Sequence, residues 1–140
     1  MERRDLIQDQ IDQLGAVLAN MLSKILGLKN QALAVESVQV VNQDLKDTLG
    51  IDDFLSLSSD ELLSVLEKNP NFNSTNLEKL ANNVLLIAES LDTENSKNLY
   101  QKSFLIFELI NRKELTYSHE RFTKMKNIEA VLENYKALSS

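Results

Sequence analysis

The stretch Arg4–Gly27, RDLIQDQIDQLGAVLANMLSKILG, decides the fold class. Ile7, Ile11, Leu14, Leu18, Met21 and Ile25 recur at alternating steps of four and three, the rhythm of an amphipathic helix. At about 100° per residue these side chains form one narrow stripe. Asp5, Asp9 and Asp12 cluster on the opposite face, in the first turns, where negative charge suits the positive end of the helix dipole. Gly27 is the expected stop, because glycine enters the left-handed conformation of a C′ residue at little cost. The spacing predicts a helix from about Arg4 to Leu26.

The same period returns downstream, with no sustained strand-like alternation. A second helix is predicted over about Asn30 to Thr48, with Ala34, Val38, Val41 and Leu45 inward and Gly50 as terminator. Its valines favour strands, but Gln39, Asn42, Asp44, Lys46 and Asp47 fit the polar face of a helix. With so short a connection the two helices form an antiparallel hairpin. Ile51 to Leu57 reads as an irregular connector leading to Ser58 and Glu61, which have the spacing of a capping box and open a short helix to about Lys68. Asn69, Pro70, Asn71 and Asn73 break the chain, and Thr75 with Glu78 repeats the capping spacing. The fourth helix has Leu77, Leu80, Ala81, Val84, Ile87, Ala88 and Leu91 inward. A fifth runs from about Glu94 to Arg112 and a sixth from about Ser118 to Ala137. Tyr100, Phe104, Phe107, Tyr117, Phe122 and Tyr135, with Met125, Ile128 and Leu132, are expected to make the densest part of the core. The fold class is all-α with about six helices in a single helical domain, 1–140. Its parts are a helical hairpin over 1–50, a connector with a short helix over 51–72 and a three-helix unit over 73–140.

A chain of 140 residues can bury roughly two thirds of its extended surface without covalent staples. Cysteine is absent, which removes disulfides, thiolate metal sites and thiol nucleophiles and fits a reducing compartment. The net charge of -6 argues against nucleic acid, which is held through Lys and Arg on phosphates. Leu14 to Leu28 is not read as a secretory segment: Asp5, Asp9 and Asp12 precede it, and Asn20, Ser23 and Lys24 interrupt it. No stretch is read as approaching the run of about 20 apolar residues of a spanning helix. A soluble, cytoplasmic protein is the expectation.

Chemistry-bearing patterns are sparse. His119 adjoins Glu120, but neighbours on a helix do not face each other and no nucleophile stands at a matching offset, so a surface histidine is expected. Asp52, Asp53, Asp60 and Glu61 lack the ligand spacing and central glycine of a calcium loop and read as helix caps. Gly15, Gly27 and Gly50 are isolated, so there is no phosphate-cradling loop. No catalytic residue, metal site or cofactor is expected. Gly15, Ala19 and Ser23 form a small-residue flank on the first helix, read as close packing against the second.

Within the fifth helix and its lead-in, Thr93 to Ser103, the residues Ser96, Tyr100 and Ser103 stand where a tetratricopeptide repeat has small, aromatic and small residues that let paired helices nest. Leu77 to Asn111 thus resembles one degenerate repeat unit, with Asn83 and Val84 where the repeat prefers leucine and glycine, and the last helix as its cap. The whole chain also resembles a family of uncharacterised bacterial all-helical proteins sharing a domain of unknown function. The resemblance rests on Ile7, Ile11, Leu14 and Gly15, then Leu49, Gly50, Ile51 and Asp52, then Leu57, Ser58, Glu61 and Leu62. It implies a helical fold with a repeat-like C-terminal part and brings no activity.

These readings point to a non-enzymatic interaction or adaptor protein offering helices four to six to a protein partner, with Lys79, Asn82 and Glu89 lining a shallow groove. The alternative is a homodimer assembled through Ile7, Ile11, Leu14 and Leu18, a stripe that demands more cover than the narrow second helix supplies. A membrane-surface role for the first helix is disfavoured by its aspartates. A small-ligand site would require a pocket gathering Tyr100, Tyr117 or His119.

Overall fold

In the computed structural model, which describes residues 3–31, 34–91 and 94–139, the apolar stripes resolve into six α-helices and one short 3-10 turn. They are α1 (Arg3–Asn30), α2 (Ala34–Leu49), the turn Phe54–Ser56, α3 (Ser59–Lys68), α4 (Ser74–Ser90), α5 (Glu94–Lys113) and α6 (His119–Ser139). The side chains of Asp5 and Ala34, and residue Thr93, lie outside the described set.

Side-chain bonds give the directions. Asn76 Nδ2 on α4 donates to Ile11 O on α1 at 3.0 Å, and Asn83 Nδ2 donates to Leu18 O at 3.0 Å. Both helices advance by the same step between the two bonds, so α1 and α4 run parallel. Lys24 reaches Asp44 at 3.3 Å, while the first half of α1 shares a cleft with Thr48 and Leu49, so α2 runs antiparallel to α1 as expected. Ser103 Oγ donates to Ala81 O at 2.9 Å and Lys113 Nζ to Phe72 O at 3.4 Å, which sets α5 antiparallel to α4. Glu78 meets Arg121 and Asn82 meets Lys124, so α6 runs parallel to α4. The row α1, α4, α6 is thus parallel; α2 packs on α1 and α4, and α5 on α4 and α6, with α3 against α5.

One apolar core runs through the chain. It holds Leu14, Leu18, Met21 and Ile25 of α1, Val41 and Leu45 of α2, Leu62 and Leu66 of α3, and the predicted α4 stripe from Leu77 to Ala88. Ser96 and Ser103 of α5 are fully buried, and their small size lets α5 lie close to α4.

Several expectations are corrected. Helix α1 passes through Gly27 to Asn30, and only Gly50 takes a positive φ, 72°. A helical glycine costs only about 1 kcal/mol, and Leu28 continues the apolar period into a half-buried position. Helix α4 is capped by Asn73, whose side chain accepts from Asn76 N at 2.9 Å, rather than by Thr75. The fully buried aromatics are Phe54, Phe72 and Phe107, whereas Tyr117 and Phe122 are exposed. Phe54 and Phe72 sit in connectors, where no helical period marks them.

The small-residue flank also has a different neighbour. A Cβ on Gly15 would stand 3.1 Å from Asn76 Oδ1 and 3.1 Å from Lys79 Nζ, so this glycine admits α4, not α2; Ser23 is exposed. Of the stripe read for self-association, Leu14 and Leu18 are buried in the chain's own core, Ile11 is half-buried and Ile7 is exposed. The parallel approach of α4 supplies the cover that α2 lacks. Leu6–Asn30 is, by length and composition, apolar enough to cross a membrane, contrary to the sequence reading. Four of its large apolar side chains, Leu14, Leu18, Met21 and Ile25, are core residues, while Leu22 and Leu26 face outward.

The connector is fixed by polar side chains. Asp53 caps the 3-10 turn, accepting from Leu55 N at 3.1 Å and Ser56 Oγ at 2.6 Å, and Phe54 N donates to Asn42 Oδ1 at 3.1 Å. Lys102 of α5, 7% exposed, donates to Leu57 O at 2.9 Å and Asn98 Oδ1 at 2.8 Å, with its ammonium 5.9 Å from the Phe54 ring centre. Burial pushes this lysine below its ordinary value, and Asp53 acts in the opposite direction. The Ser58–Glu61 capping box is present in both halves.

Replacing Asn83 with Ala removes a buried donor and leaves a void, and is expected to lower unfolding free energy by about 1–3 kcal/mol in urea titration. Hydrogen bonds from Ser58 hold the Glu61 carboxyl below its ordinary value, so its contribution is present above the usual carboxylate range and is lost as pH falls through the lowered value. The stability difference between the native chain and Glu61→Gln, measured by urea titration over a series of falling pH, should shrink as the pH passes down through that lowered value.

Candidate functional site

Helices α4 and α6 do not pack against each other; they are bridged by long side chains above α5, leaving a groove between them. The groove begins near the N-terminus of α4 with Ser74, Thr75, Glu78, Lys79 and Asn82 facing Glu114 and Arg121, a cleft of about 300 Å³. It continues at the other end of α4 as a cleft of about 340 Å³ among Leu85, Glu89, Tyr100, Lys124, Asn127, Ile128 and Val131. Steps of four and three along α4, from Glu78 through Asn82 and Leu85 to Glu89, place these residues on one stripe.

Arg121 anchors the first cleft. It is 4% exposed, and its Nε donates to Asn111 Oδ1 at 2.6 Å. Its terminal nitrogens reach Glu78 at 3.4 Å, Thr116 O at 3.4 Å and Glu114 at 3.6 Å, so one guanidinium ties α4, α5 and the turn to α6. Two half-exposed carboxylates balance the buried charge, which a guanidinium can engage in several directions at once. Ser118 Oγ accepts from Arg121 N at 3.2 Å and begins α6.

Lys124 spans the middle. Its ammonium donates to Asn82 Oδ1 at 2.8 Å and Glu120 Oε1 at 2.9 Å. The bond to Lys124 and its charge hold the Glu120 carboxyl below the usual range. Glu120 therefore turns along α6 toward Lys124 rather than toward His119. His119 is exposed, with Nδ1 3.4 Å from the Tyr117 hydroxyl, and the Tyr117 ring lies 5.8 Å from that of Phe122.

Beyond Lys124 the groove becomes apolar. Ile128 and Leu85 are buried in its floor, Val131 and Tyr100 are half-buried, and Glu89 stands exposed at the rim. Burial pushes the Tyr100 hydroxyl above its ordinary value, and the charges of Glu89 and Tyr135 push the same way.

Of the predicted groove residues, Asn82 and Glu89 share the stripe facing α6. Lys79 lies one position round the helix, lining both the α6 cleft and a second cleft of about 370 Å³ against Gln8, Asp12 and Gly15 of α1. The α6 wall, Arg121, Lys124 and Val131, is not among the groove residues that the sequence predicts. Its signal is the steps of three, four and three that put Arg121, Lys124, Ile128 and Val131 on one face. Among the described residues no group of three or more His, Asp or Glu side chains gathers as metal ligands. Asp53 and Glu61 instead serve as caps. Comparison with protein-family models, curated proteins and solved structures gives no match.

Replacing Arg121 with Met keeps its bulk but removes the bonds that tie α6 to α4. The variant is expected to lose about 1–3 kcal/mol of stability and to show faster amide exchange along α6 than along α4, read by hydrogen-exchange mass spectrometry.

Proposed function

We propose that this chain is a non-enzymatic helical adaptor of the cytoplasm that receives a segment of a protein partner in the groove between α4 and α6. The observation that carries the reading is the groove itself: parallel helices held apart by Arg121 and Lys124, with clefts of about 300 and 340 Å³ at its two ends. Each cleft is large enough to take one or two side chains of a partner. The floor mixes buried aliphatic groups with amides and charges at the rim, the anatomy of a docking surface with an apolar centre and a polar border. Buried Ser96 and Ser103, which bring α5 close to α4, support a tetratricopeptide-like organisation of the C-terminal part. The bacterial helical family named from the sequence is proposed as its origin.

The test is site-specific photocrosslinking in living cells of the native host, with benzoylphenylalanine in place of exposed Asn127 in the groove or exposed Glu67 on α3. Crosslinked adducts with a distinct protein are expected from Asn127 and not from Glu67. Equal labelling from both positions, or adducts only at twice the mass of this chain, would overturn the reading, the latter in favour of a homodimer.

A further inference from the structure

We propose that the Glu89 end of the groove recognises a basic amphipathic peptide: one aliphatic or aromatic anchor side chain enters the cleft, and a neighbouring lysine or arginine pairs with Glu89. This rests on the groove being a docking site and adds the chemistry of its occupant.

The floor here is apolar, made by Leu85, Ile128, Val131 and the Tyr100 ring. Such a surface favours an apolar side chain, whose burial releases ordered water. The rim decides the charge. The cation nearest the cleft, Lys124, is already engaged by Asn82 and Glu120. Glu89 is exposed and makes no ion pair among the described residues.

Glu89 also occupies the last turn of α4, where the helix dipole is negative and a carboxylate is unfavourable. The adjacent Leu86 carbonyl is partly satisfied by Ser90 Oγ at 2.7 Å, but no cation caps this helix end among the bonds described. A carboxylate placed against the dipole with no internal partner lowers stability without serving the fold, a local inconsistency that marks functional surfaces. Burial raises the Tyr100 hydroxyl beside it, and the charge of Glu89 adds to that shift. With a net charge of -6, the chain as a whole also steers cationic segments toward it.

The experiment uses the intact chain. Random short peptides on a display library are selected against it, the binders are synthesised, and each is titrated into nitrogen-15-labelled protein by NMR and into the variants Glu89→Gln and Glu89→Lys by fluorescence anisotropy. Glu89 is exposed at a helix C-terminus, where lysine suits the dipole, so both variants keep the fold. The expected binders carry an apolar anchor beside Lys or Arg and shift the resonances of Leu85, Asn127 and Val131. They should bind Glu89→Gln at least threefold and Glu89→Lys at least tenfold more weakly. Binders that map to the groove but are acidic or neutral, or are indifferent to both substitutions, would overturn this inference and leave the docking role standing. Binders that map away from α4 and α6, or a selection yielding none, would overturn both.

Discussion

Two carboxamides set the register of this molecule. Asn76 and Asn83 of α4 donate to the carbonyls of Ile11 and Leu18, which already belong to the backbone ladder of α1. Both asparagines are nearly fully buried, so their amides would be costly to leave unpaired. Sliding α4 by one residue along α1 breaks both bonds together, whereas apolar contacts alone tolerate such a shift. Gly15 between the two carbonyls keeps the backbones close enough for the side chains to reach. Once α1 and α4 are locked parallel, the antiparallel α5 and α6 follow, and α6 arrives parallel to α4 on its far side.

That arrangement explains what periodicity revealed and what it did not. The apolar stripes of α1 and α4 were legible because burial of a helix face leaves a three-and-four spacing in the chain. The capping box of α3 was legible because its chemistry is local. Asn76 and Asn83 were not, since a polar residue on the flank of a stripe looks the same whether it meets water or a carbonyl 65 residues away. Lys102 and Arg121 fall under the same blindness: their partners come from the connector and from three elements respectively. Phe54 and Phe72 escaped for another reason, since they fill the core from connectors that carry no period.

The candidate groove was half legible. Asn82 and Glu89 stand out in the sequence as polar positions on α4, and they line the α6 side. The opposing wall depends on how far α6 stands from α4, which is set by the packing of α6 on α5 and by the reach of Arg121 and Lys124, partners that lie far apart in the chain. Helix α6 has a weak amphipathic character, with Met125, Leu132 and Tyr135 only half-buried. Ile128 ties it to the core, and polar bridges hold it to α4.

The distribution of charge along the groove follows from this construction. At the α4 N-terminus Glu78 and Glu114 offset Arg121 and Lys79, which leaves that cleft close to neutral. In the middle, Lys124 is matched by Glu120. Among the described residues two charges lining the groove make no ion pair, Lys79 at the first cleft and Glu89 at the far end, the latter at the helix terminus least suited to it. The two cations of the α6 wall, Arg121 and Lys124, hold the helices at their spacing. On the docking reading proposed above, Glu89 and the aliphatic floor beside it are left free to meet an occupant, because Asn82, Arg121 and Lys124 cannot turn outward without releasing α6.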